Sequence, residues 1–317
     1  MAMNRVQFQR GLSMAKFERL YGTEEQCEQA VRGWRWPEGF SCPRCASAQR
    51  TEYRRGGLLY LQCGHCQYQC SLIAGTVLAS TKLPLKIWFL AMHLLTKAKT
   101  SISALELSRD LDVSYRTAWL VKHKLMETMR LREAPRQLSG RVEIDDAFLG
   151  GERTGGKRGR GSENKVPFVA AVQTTEDGQV VHACLSLRAH SNESLLEFAA
   201  TSLALPLTLV SDGLACFATV AANGGVHHRT VTGGGKAAGA LPQFRAVNTI
   251  IGNLKTSLSG AYKAFDFAKY GHRYLAEFQY RLNRRFDLGA MLARLTIAVL
   301  QTKPCPRRVI WAAEVGS

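Results

Sequence analysis

Four cysteines in two closely spaced pairs are the clearest group of residues able to do chemistry. Cys42 and Cys45 form one CxxC pair, and Cys63 and Cys66 form a second pair after 17 intervening residues. Each CxxC turn brings two thiolates together, and two such turns supply the four tetrahedral sulfur ligands of structural zinc. The spacing therefore predicts a structural zinc ribbon, and a redox pair is the alternative. We expect the other nearby candidates to stay unligated: Cys27, His65 and Cys70.

Acidic residues within and after apolar segments form a second candidate site. Glu143 and Asp145 alternate with the apolar residues of Val142–Leu149, and Asp212 follows the apolar segment Leu207–Val210. A carboxylate in a buried strand is costly unless it is paired or binds a metal, and strand ends are where α/β sheets place their sites. Asp145 and Asp212 could together hold a pair of Mg²⁺ or Mn²⁺ ions that activates a hydroxyl and stabilises a leaving oxygen. The alternative is that each aspartate caps the next helix.

Several segments are rich in positive charge. Glycine alternates with basic residues in segment 150–161, which predicts a flexible loop that follows a phosphate backbone, or a plain surface loop. The basic residues of that loop taken as DNA contacts are Lys157, Arg158 and Arg160. Three arginines at helical spacing form either a DNA contact or a solvated face: Arg281, Arg284 and Arg285. The ribbon gains a basic face from Arg44, Arg50, Arg54 and Arg55.

Segment 101–129 predicts a helix-turn-helix. Ser101 is the expected N-cap of a first helix that runs to Leu107, Leu111–Val113 makes the turn, and Ser114 caps a second helix. The exposed start of a second helix is where base edges are usually contacted. The residues placed there are Ser114, Tyr115, Arg116 and Thr117, and Arg116, Lys122 and Lys124 could reach phosphates. An ordinary helical hairpin is the alternative.

The elements that must position these residues change type near Gly140. Apolar residues at helical spacing dominate before Gly140, whereas three strands are predicted after it, at Val142–Leu149, Phe168–Thr174 and Val180–Leu187. Asp177 and Gly178 predict a hairpin turn between the second and third of these strands. A helix, a short strand and further helices complete an α/β order. The predicted divisions are an N-terminal helical segment at 1–37, a zinc ribbon at 38–80, a helix-turn-helix at 81–134 and a catalytic α/β domain at 135–317.

Composition favours a nucleic-acid partner. The chain of 317 residues has 42 Lys and Arg against 25 Asp and Glu, a formal charge of +17. Such a field concentrates polyanions, although a ribosome-associated or merely basic protein would share it. We find no apolar run long enough to span a bilayer and no secretory signal, so we expect an intracellular protein without a membrane partner. In a reducing compartment, nine cysteines favour metal binding over disulfides.

In combination, these motifs resemble those of the bacterial insertion-sequence transposases of the DDE superfamily, in the group that carries a zinc ribbon. The resemblance covers nearly the whole chain and rests on four stretches: Arg35–Phe40 leading into the first cysteine pair, Val142–Gly151, Ser211–Gly213, and Tyr274–Phe278 with Arg281–Arg285. It implies an RNase H-like catalytic domain, Mg²⁺-dependent strand cleavage and attack of a 3′-hydroxyl on target DNA. By the same resemblance, Asp145 and Asp212 are the first two metal ligands.

The third metal-binding position departs from the common pattern of the superfamily, which has a glutamate followed seven residues later by a lysine. Asn248 and Lys255 have that spacing here, and seven residues place both side chains on one helix face. An asparagine oxygen can ligate Mg²⁺, and some members of the group carry asparagine there. Lys255 would then contact a phosphate. Other possibilities are that Asn248 is a helix N-cap, or that the ligand is Asn253, Asp266 or Glu277.

The resemblance implies a transposase that binds double-stranded DNA, both its own element's ends and a target, as a homo-oligomer associated with the nucleoid. Two rival functions remain open from the sequence. One is a non-catalytic DNA-binding regulator, which the missing third carboxylate favours. The other is an RNase H-like nuclease that cuts DNA without joining it.

Overall fold

The computed structural model describes residues 6, 8–97, 100–150, 162, 164–221, 224–230, 241–262 and 265–313. The chain divides into two compact units. The first holds the described residues of Met1–Ala98, Ala104–Thr128 and Asp287–Ser317, and the second holds those of Lys99–Ser103 and Met129–Phe286. In this division, Asp287 and the residues after it group with the N-terminal segments.

Two short helices open the first unit where the sequence indicated one helical stretch. Helix α1 spans Met14–Tyr21 and helix α2 spans Glu24–Arg35. Thr23 separates them because its hydroxyl accepts from the Gln26 amide while the Gln26 side chain accepts from the Thr23 amide, a capping box that starts α2 afresh. Phe17, Cys27 and Val31 bury the inner faces of the two helices.

A three-stranded antiparallel sheet follows in the order β1-β2-β3. Its strands are β1 (Arg50–Arg55), β2 (Leu58–Cys63) and β3 (Gln69–Ser71). Gly56 and Gly57 make the turn between the first two strands, and both have positive φ angles that favour glycine.

Helices complete the first unit. They are α3 (Leu85–Lys97), α4 (Ala104–Asp110) and α5 (Tyr115–Glu133), whose last turn belongs to the second unit. Two helices from the far end of the sequence, α10 (Met291–Gln301) and α11 (Arg307–Ala312), also belong here. Helix α10 packs on α2 and α3, and the Thr296 hydroxyl reaches the Met92 sulfur.

A five-stranded mixed sheet forms the second unit, in the order β6-β5-β4-β7-β8. The strands are β4 (Leu138–Leu149), β5 (Val166–Thr174), β6 (Val180–Leu187), β7 (Leu203–Ser211) and β8 (Val226–Arg229). Strands β4, β5 and β6 pair antiparallel, whereas β7 and β8 run parallel to β4. The hairpin between β5 and β6 turns at Gly178, as the sequence predicted, but β8 was not anticipated.

Helices cover both faces of this sheet. Helices α6 (Asn192–Ser202) and α7 (Phe217–Ala221) pack on the face that carries Val142 and Ile144. Helices α8 (Arg245–Ala261) and α9 (Phe267–Asn283) pack on the face that carries Ala147 and Leu149. The fold class is therefore α/β, as predicted, and the strand order is that of the RNase H-like sheet that the resemblance implied.

Among the described residues, no helix combines the length and the apolar character that crossing a bilayer requires.

Candidate metal centres and DNA-contact residues

The four ribbon cysteines converge on one point. Their sulfur atoms all lie within 4.8 Å of one another, and the Sγ–Sγ distances are 3.6 Å both for Cys42 with Cys66 and for Cys45 with Cys63. A tetrahedron with Zn–S bonds of about 2.3 Å has edges of about 3.8 Å, so the donor set fits zinc. Cys63 and Cys66 lie at and beyond the end of β2, whereas the first pair precedes β1.

Backbone amides prepare one of these thiols for metal binding. The Cys66 amide donates to the Cys63 sulfur at 3.5 Å. That bond, together with one from the His65 amide, lowers the pKa of the Cys63 thiol to about 6. A thiolate is the form that ligates zinc, so the turn itself favours the ligand state. Cys27 and Cys70 lie outside the four-sulfur cluster, and burial raises the pKa of both thiols.

The predicted basic face of the ribbon is partly neutralised. Arg54 forms an ion pair with Glu28 of α2 at 2.6 Å, and Arg50 forms one with Glu52 at 3.0 Å. Glu52 also accepts from Arg32 at 2.7 Å. Two of the four arginines therefore hold the sheet to its own helix and neighbouring strand residues instead of standing free for DNA.

Helices α4 and α5 lie where the sequence predicted a helix-turn-helix. Ser114 caps α5, since its hydroxyl accepts from the Thr117 amide at 3.3 Å. Leu107, Leu111 and Ala118, three of the residues expected to form the small core, are buried. Ser114, Tyr115 and Arg116 are exposed at the start of α5, and Thr117 is half-buried, so the proposed base-reading residues are accessible.

Other predictions for this motif are wrong. Ser101 does not cap α4, which begins at Ala104; the Ser101 hydroxyl instead contacts Tyr262 and Glu277 within the second unit. Lys122 is buried on the inner face of α5, which periodicity alone did not separate from its outer face. Lys124 is half-buried and its ammonium donates to the carbonyl of Val77 at 3.0 Å, and its contact with a phosphate stays a prediction.

Three carboxylates meet where the pairing of β4 with β7 ends. Ile144 pairs with Ser211 across these parallel strands, so the next residues, Asp145 and Asp212, stand side by side. Oxygen atoms of Asp145, Asp146 and Asp212 lie within 4.8 Å of one another. Asp145 and Asp212 are half-buried, and the Asp146 side chain is buried. Clustered carboxylates repel one another unless a cation lies between them, and hard oxygen donors suit a divalent metal ion.

Asp146 is the member of this cluster that the sequence analysis missed. Its Oδ2 lies 3.5 Å from Nδ1 of His190, whose Nε2 is 3.3 Å from the carbonyl oxygen of Phe168. The ring of Phe148 meets the His190 ring edge-on at 5.2 Å. His190 is therefore held between the carboxylate and the strand backbone. Burial raises the pKa of the nearby Cys216 thiol, and the charges of Asp146 and Asp212 raise it further.

Glu143 lies on the same face of strand β4 as Asp145 but forms contacts of a different kind. Its side chain is buried, accepts from the Arg141 guanidinium at 2.7 Å, and accepts from the Val247 amide at 2.9 Å. Val247 lies in the first turn of α8, where amides lack intrahelical partners and negative charge is stabilising. Glu143 therefore holds the start of α8 against strand β4.

Helix α8 carries the third-position candidates into the same cleft as the acids. Asn248 and Lys255 line a cleft of about 750 Å³ together with Asp145 and Asp146. Helix α8 begins at Arg245 and Phe244 is its N-cap, so Asn248 is inside the helix and does not cap it. Helix α8 contains no acidic residue, and Asn253 is exposed and does not line the cleft.

The remaining acidic candidates are engaged elsewhere. Asp266 caps helix α9, since its side chain accepts from the Lys269 amide at 2.9 Å. Glu277 is buried in α9, where it accepts from Ser101 at 2.5 Å and lies 3.7 Å from Arg281. Neither acid belongs to the cluster of Asp145, Asp146 and Asp212.

The three arginines at the end of α9 do not form an exposed cationic stripe. Arg281 is buried beside Glu277, and Arg284 pairs with the buried Glu133 and lies 3.6 Å from the ring centre of Tyr280. Arg285 donates to the carbonyls of Val180 and Val181, and burial lowers its pKa to about 10. All three guanidinium groups are engaged within the second unit, and only that of Arg285 contacts the sheet, which leaves the predicted DNA contact without support. Lys157, Arg158 and Arg160 lie outside the described residues.

Two regions of the chain match known protein families, one around the four ribbon cysteines and one around the acidic cluster. Residues 137–283 match the model of the ISXO2-like transposase domain, and residues 22–69 match that of the transposase zinc-ribbon domain. The first range includes Asp145, Asp146, Asp212 and Asn248, and the second includes all four ribbon cysteines. The chain is also similar to an uncharacterized protein in transposable element ISH50 of Halobacterium salinarum, with 29% identity over 184 residues. That alignment covers 52% of this chain and 60% of the relative.

Proposed function

We propose that this chain is an insertion-sequence transposase that binds the ends of its own element and catalyses metal-dependent DNA cleavage and strand transfer. The observation that carries this proposal is the convergence of Asp145, Asp146 and Asp212 just beyond the last residue pair of β4 with β7. Oxygen-rich sites of this kind suit Mg²⁺ or Mn²⁺, and we assign Asp145 and Asp212 as the ligands that come from two separate strands.

Divalent ions in such a site would activate the attacking hydroxyl and stabilise the leaving 3′-oxygen during phosphoryl transfer. The protein's own residues supply the positions of the reactants. Asp145 and Asp212 hold their carboxylates side by side because β4 and β7 are in parallel register. Asn248 faces the same cleft and offers a neutral oxygen, and Lys255, seven residues and two turns later, supplies a cation for a non-bridging phosphate oxygen.

DNA binding is assigned to the other unit. The zinc ribbon and the exposed start of α5 present residues that can contact a duplex, with Tyr115 and Arg116 as the accessible side chains that carry most contact area. We propose that zinc folds the ribbon and takes no part in the reaction, because four thiolates leave no open position on the metal. Two ends must be joined in one reaction, so we also propose that the protein acts as a homo-oligomer on DNA.

The test is a strand-transfer assay with the element's end sequence, Mg²⁺ and a target plasmid. Asp145→Asn and Asp212→Asn remove charge with little change of shape, and each is expected to lower joined product by more than about 100-fold, since even outer-shell changes cost 10–100-fold. Duplex affinity should stay within twofold of wild type. Asp177→Asn, in the exposed β5–β6 turn, is the matched control. Normal joining by either cluster variant would reject the assignment.

A non-catalytic DNA-binding protein is the second candidate, because α8 contributes no carboxylate to the cleft. Asn248→Ala and Asn248→Glu separate the two functions. If Asn248 is a ligand, the alanine variant should lose at least about tenfold of metal-dependent activity, and the glutamate variant should change its preference between Mg²⁺ and Mn²⁺. No metal-dependent activity in wild type or either variant would favour the binding protein. Cleaved product without joined product would favour a nuclease.

A further inference from the structure

A cationic cleft lies beside the start of α5 in the first unit. It has a volume of about 320 Å³ and is lined by the loop before α3, by the outer side of α5 and by Arg307 of α11. Arg307 follows Arg116 by 191 positions, so nothing local in the sequence joins them. The return of the chain to the first unit after Asp287 brings them together.

Positive charge dominates the lining of this cleft. Lys82, Arg116 and Arg307 are all exposed, and none of them forms an ion pair with an acidic residue in the described part of the chain. Lys124 adds a fourth cation on the wall, with its ammonium held by the Val77 carbonyl. No acidic residue is among the described residues that line the cleft. Cations grouped in this way repel one another, so the cleft is suited to an anion.

The hydroxyl groups in the lining of the cleft and its position beside the start of α5 favour a phosphodiester as the bound anion. Thr117 and Ser80 bring hydroxyls to the lining, which can donate to phosphate oxygens. The Arg307 guanidinium lies 4.0 Å from the ring centre of Trp311, which supports the planar group from one side. The cleft adjoins Tyr115 and Arg116, the exposed residues at the reading end of α5. A strand whose bases meet those residues carries its backbone phosphates past the cleft.

We propose that this cleft seats a DNA backbone phosphate, held by Lys82, Arg116 and Arg307, next to the bases contacted by α5. Helix α11, which is distant in the sequence, thereby adds a phosphate contact through Arg307 to those made by α5. This inference rests on the DNA-binding part of the proposed function. It is independent of the catalytic part, because phosphate contacts position a protein on the duplex and neither read sequence nor take part in the reaction.

The experiment measures binding of the full-length, zinc-loaded protein to a fluorescein-labelled duplex of arbitrary sequence across a range of NaCl concentrations, without Mg²⁺. Each phosphate contact contributes about 0.9 to the slope of log affinity against log salt. Lys82→Ala and Arg307→Ala should each lower that slope by about 1, and each should weaken binding about eightfold at 0.1 M NaCl. The loss should be equal on a second, unrelated duplex, and Arg307→Lys should recover most of it.

Arg308→Ala is the matched control, since Arg308 is the exposed neighbour of Arg307 on α11 and does not line the cleft. Its affinity should stay within twofold of wild type. Equal salt slopes for Arg307→Ala, Lys82→Ala and Arg308→Ala would overturn the phosphate site while leaving DNA binding intact. Failure of the wild-type protein to bind any duplex would instead overturn the proposed function. Thermal unfolding of each variant checks that it is folded. The Lys82→Ala variant tests the same cleft at a residue from a different segment of the chain.

Discussion

Asp145 and Asp146 are consecutive residues of β4, and regular alternation would point their side chains to opposite faces of the sheet. Oxygen atoms of both nevertheless lie within 4.8 Å of an oxygen of Asp212, just beyond the last residue pair of β4 with β7, Ile144 with Ser211. His190 lies 3.5 Å from Asp146. The spacing rules that predicted Asp145 and Asp212 therefore missed Asp146, because they assume strict alternation along the strand.

His190 is expected to tune metal binding through Asp146. Loss of a histidine that orients a carboxylate beside a metal lowers metal affinity about 10–100-fold. The distance of 3.5 Å between Nδ1 of His190 and Oδ2 of Asp146 is long for a hydrogen bond, so we expect the lower end of that range. His190→Ala should therefore raise the dissociation constant for Mn²⁺ about tenfold, as measured by calorimetry on the DNA-free protein. His228→Ala, on the exposed part of β8, serves as control. Unchanged Mn²⁺ affinity in His190→Ala would exclude this positioning role.

Residue spacing alone did not show where the three arginines near the end of α9 lie. Arg281 is in the last turn of the helix, whereas Arg284 and Arg285 follow its last residue, Asn283, so the three do not form a stripe on one helix face. Glu133, which forms an ion pair with Arg284, lies 151 positions earlier in the chain. Only the packing of α9 on β6 decides that this end of the helix faces inward.

At the scale of elements, strand β4 positions helix α8 as well as the acids. Glu143 and Arg141 form a buried ion pair whose carboxylate binds the first turn of α8, and the same guanidinium donates to Thr174 at 2.7 Å. Strand β4 therefore positions Asp145 and Asp146 as well as the start of the helix that carries Asn248. Four of the five strands and the spacing of Asn248 and Lys255 followed from the sequence, but this connection between β4 and α8 depends on tertiary contact.

Glu143→Ala should destabilise the protein without removing a metal ligand. Loss of one partner of a buried ion pair leaves Arg141 uncompensated and costs about 3–5 kcal/mol. Urea unfolding should detect that loss, whereas Mn²⁺ affinity of the folded protein should stay within a few-fold of wild type. Glu143→Gln, which keeps an acceptor for the Val247 amide, should lose less. A large fall in metal affinity with intact stability would instead make Glu143 a ligand.

Glu133 predicts a pH dependence of stability. Burial raises its pKa, but the charge of Arg284, the Asn283 hydrogen bond and the charge of Arg136 outweigh burial, so the folded-state pKa lies below its ordinary value. A lowered carboxyl pKa contributes stability above the unfolded pKa of about 4.3, and that contribution is lost as pH falls through the folded pKa. Glu133→Gln should therefore be about 3 kcal/mol less stable than wild type at pH 7, with a smaller difference below about pH 4. Urea midpoints measured from pH 7 to pH 3 check this, and a constant difference would contradict it.

At the scale of the whole molecule, the zinc site was predictable because each of its cysteine pairs is local. The CxxC turns place pairs of thiols without any help from distant residues, so spacing alone identified the zinc site. The assignment of Asp287 and later residues to the first unit was not predictable, because helical periodicity shows that α10 has an apolar face and does not show what covers it.

Zinc should hold the ribbon in its folded state. Cys63→Ser is expected to bring zinc content well below one ion per chain and to abolish duplex binding, because structural zinc supplies folding free energy. Cys70→Ala is the matched control, since Cys70 is a buried thiol of the same small sheet that lies outside the cluster. It should retain one zinc ion and normal binding. Atomic absorption and the duplex assay measure both. Full duplex affinity in zinc-free Cys63→Ser protein would show that the ribbon does not support binding.

The division of the chain also sets an order of events at the ribosome. Helices α10 and α11 are translated only after the entire segment Met129–Phe286, yet they complete the unit that carries the zinc ribbon and α5. At ordinary elongation speeds that segment takes roughly 8 to 30 seconds to emerge. During that interval the nascent chain lacks Arg307, so the cleft beside α5 is assembled only once the five-stranded sheet has been synthesised.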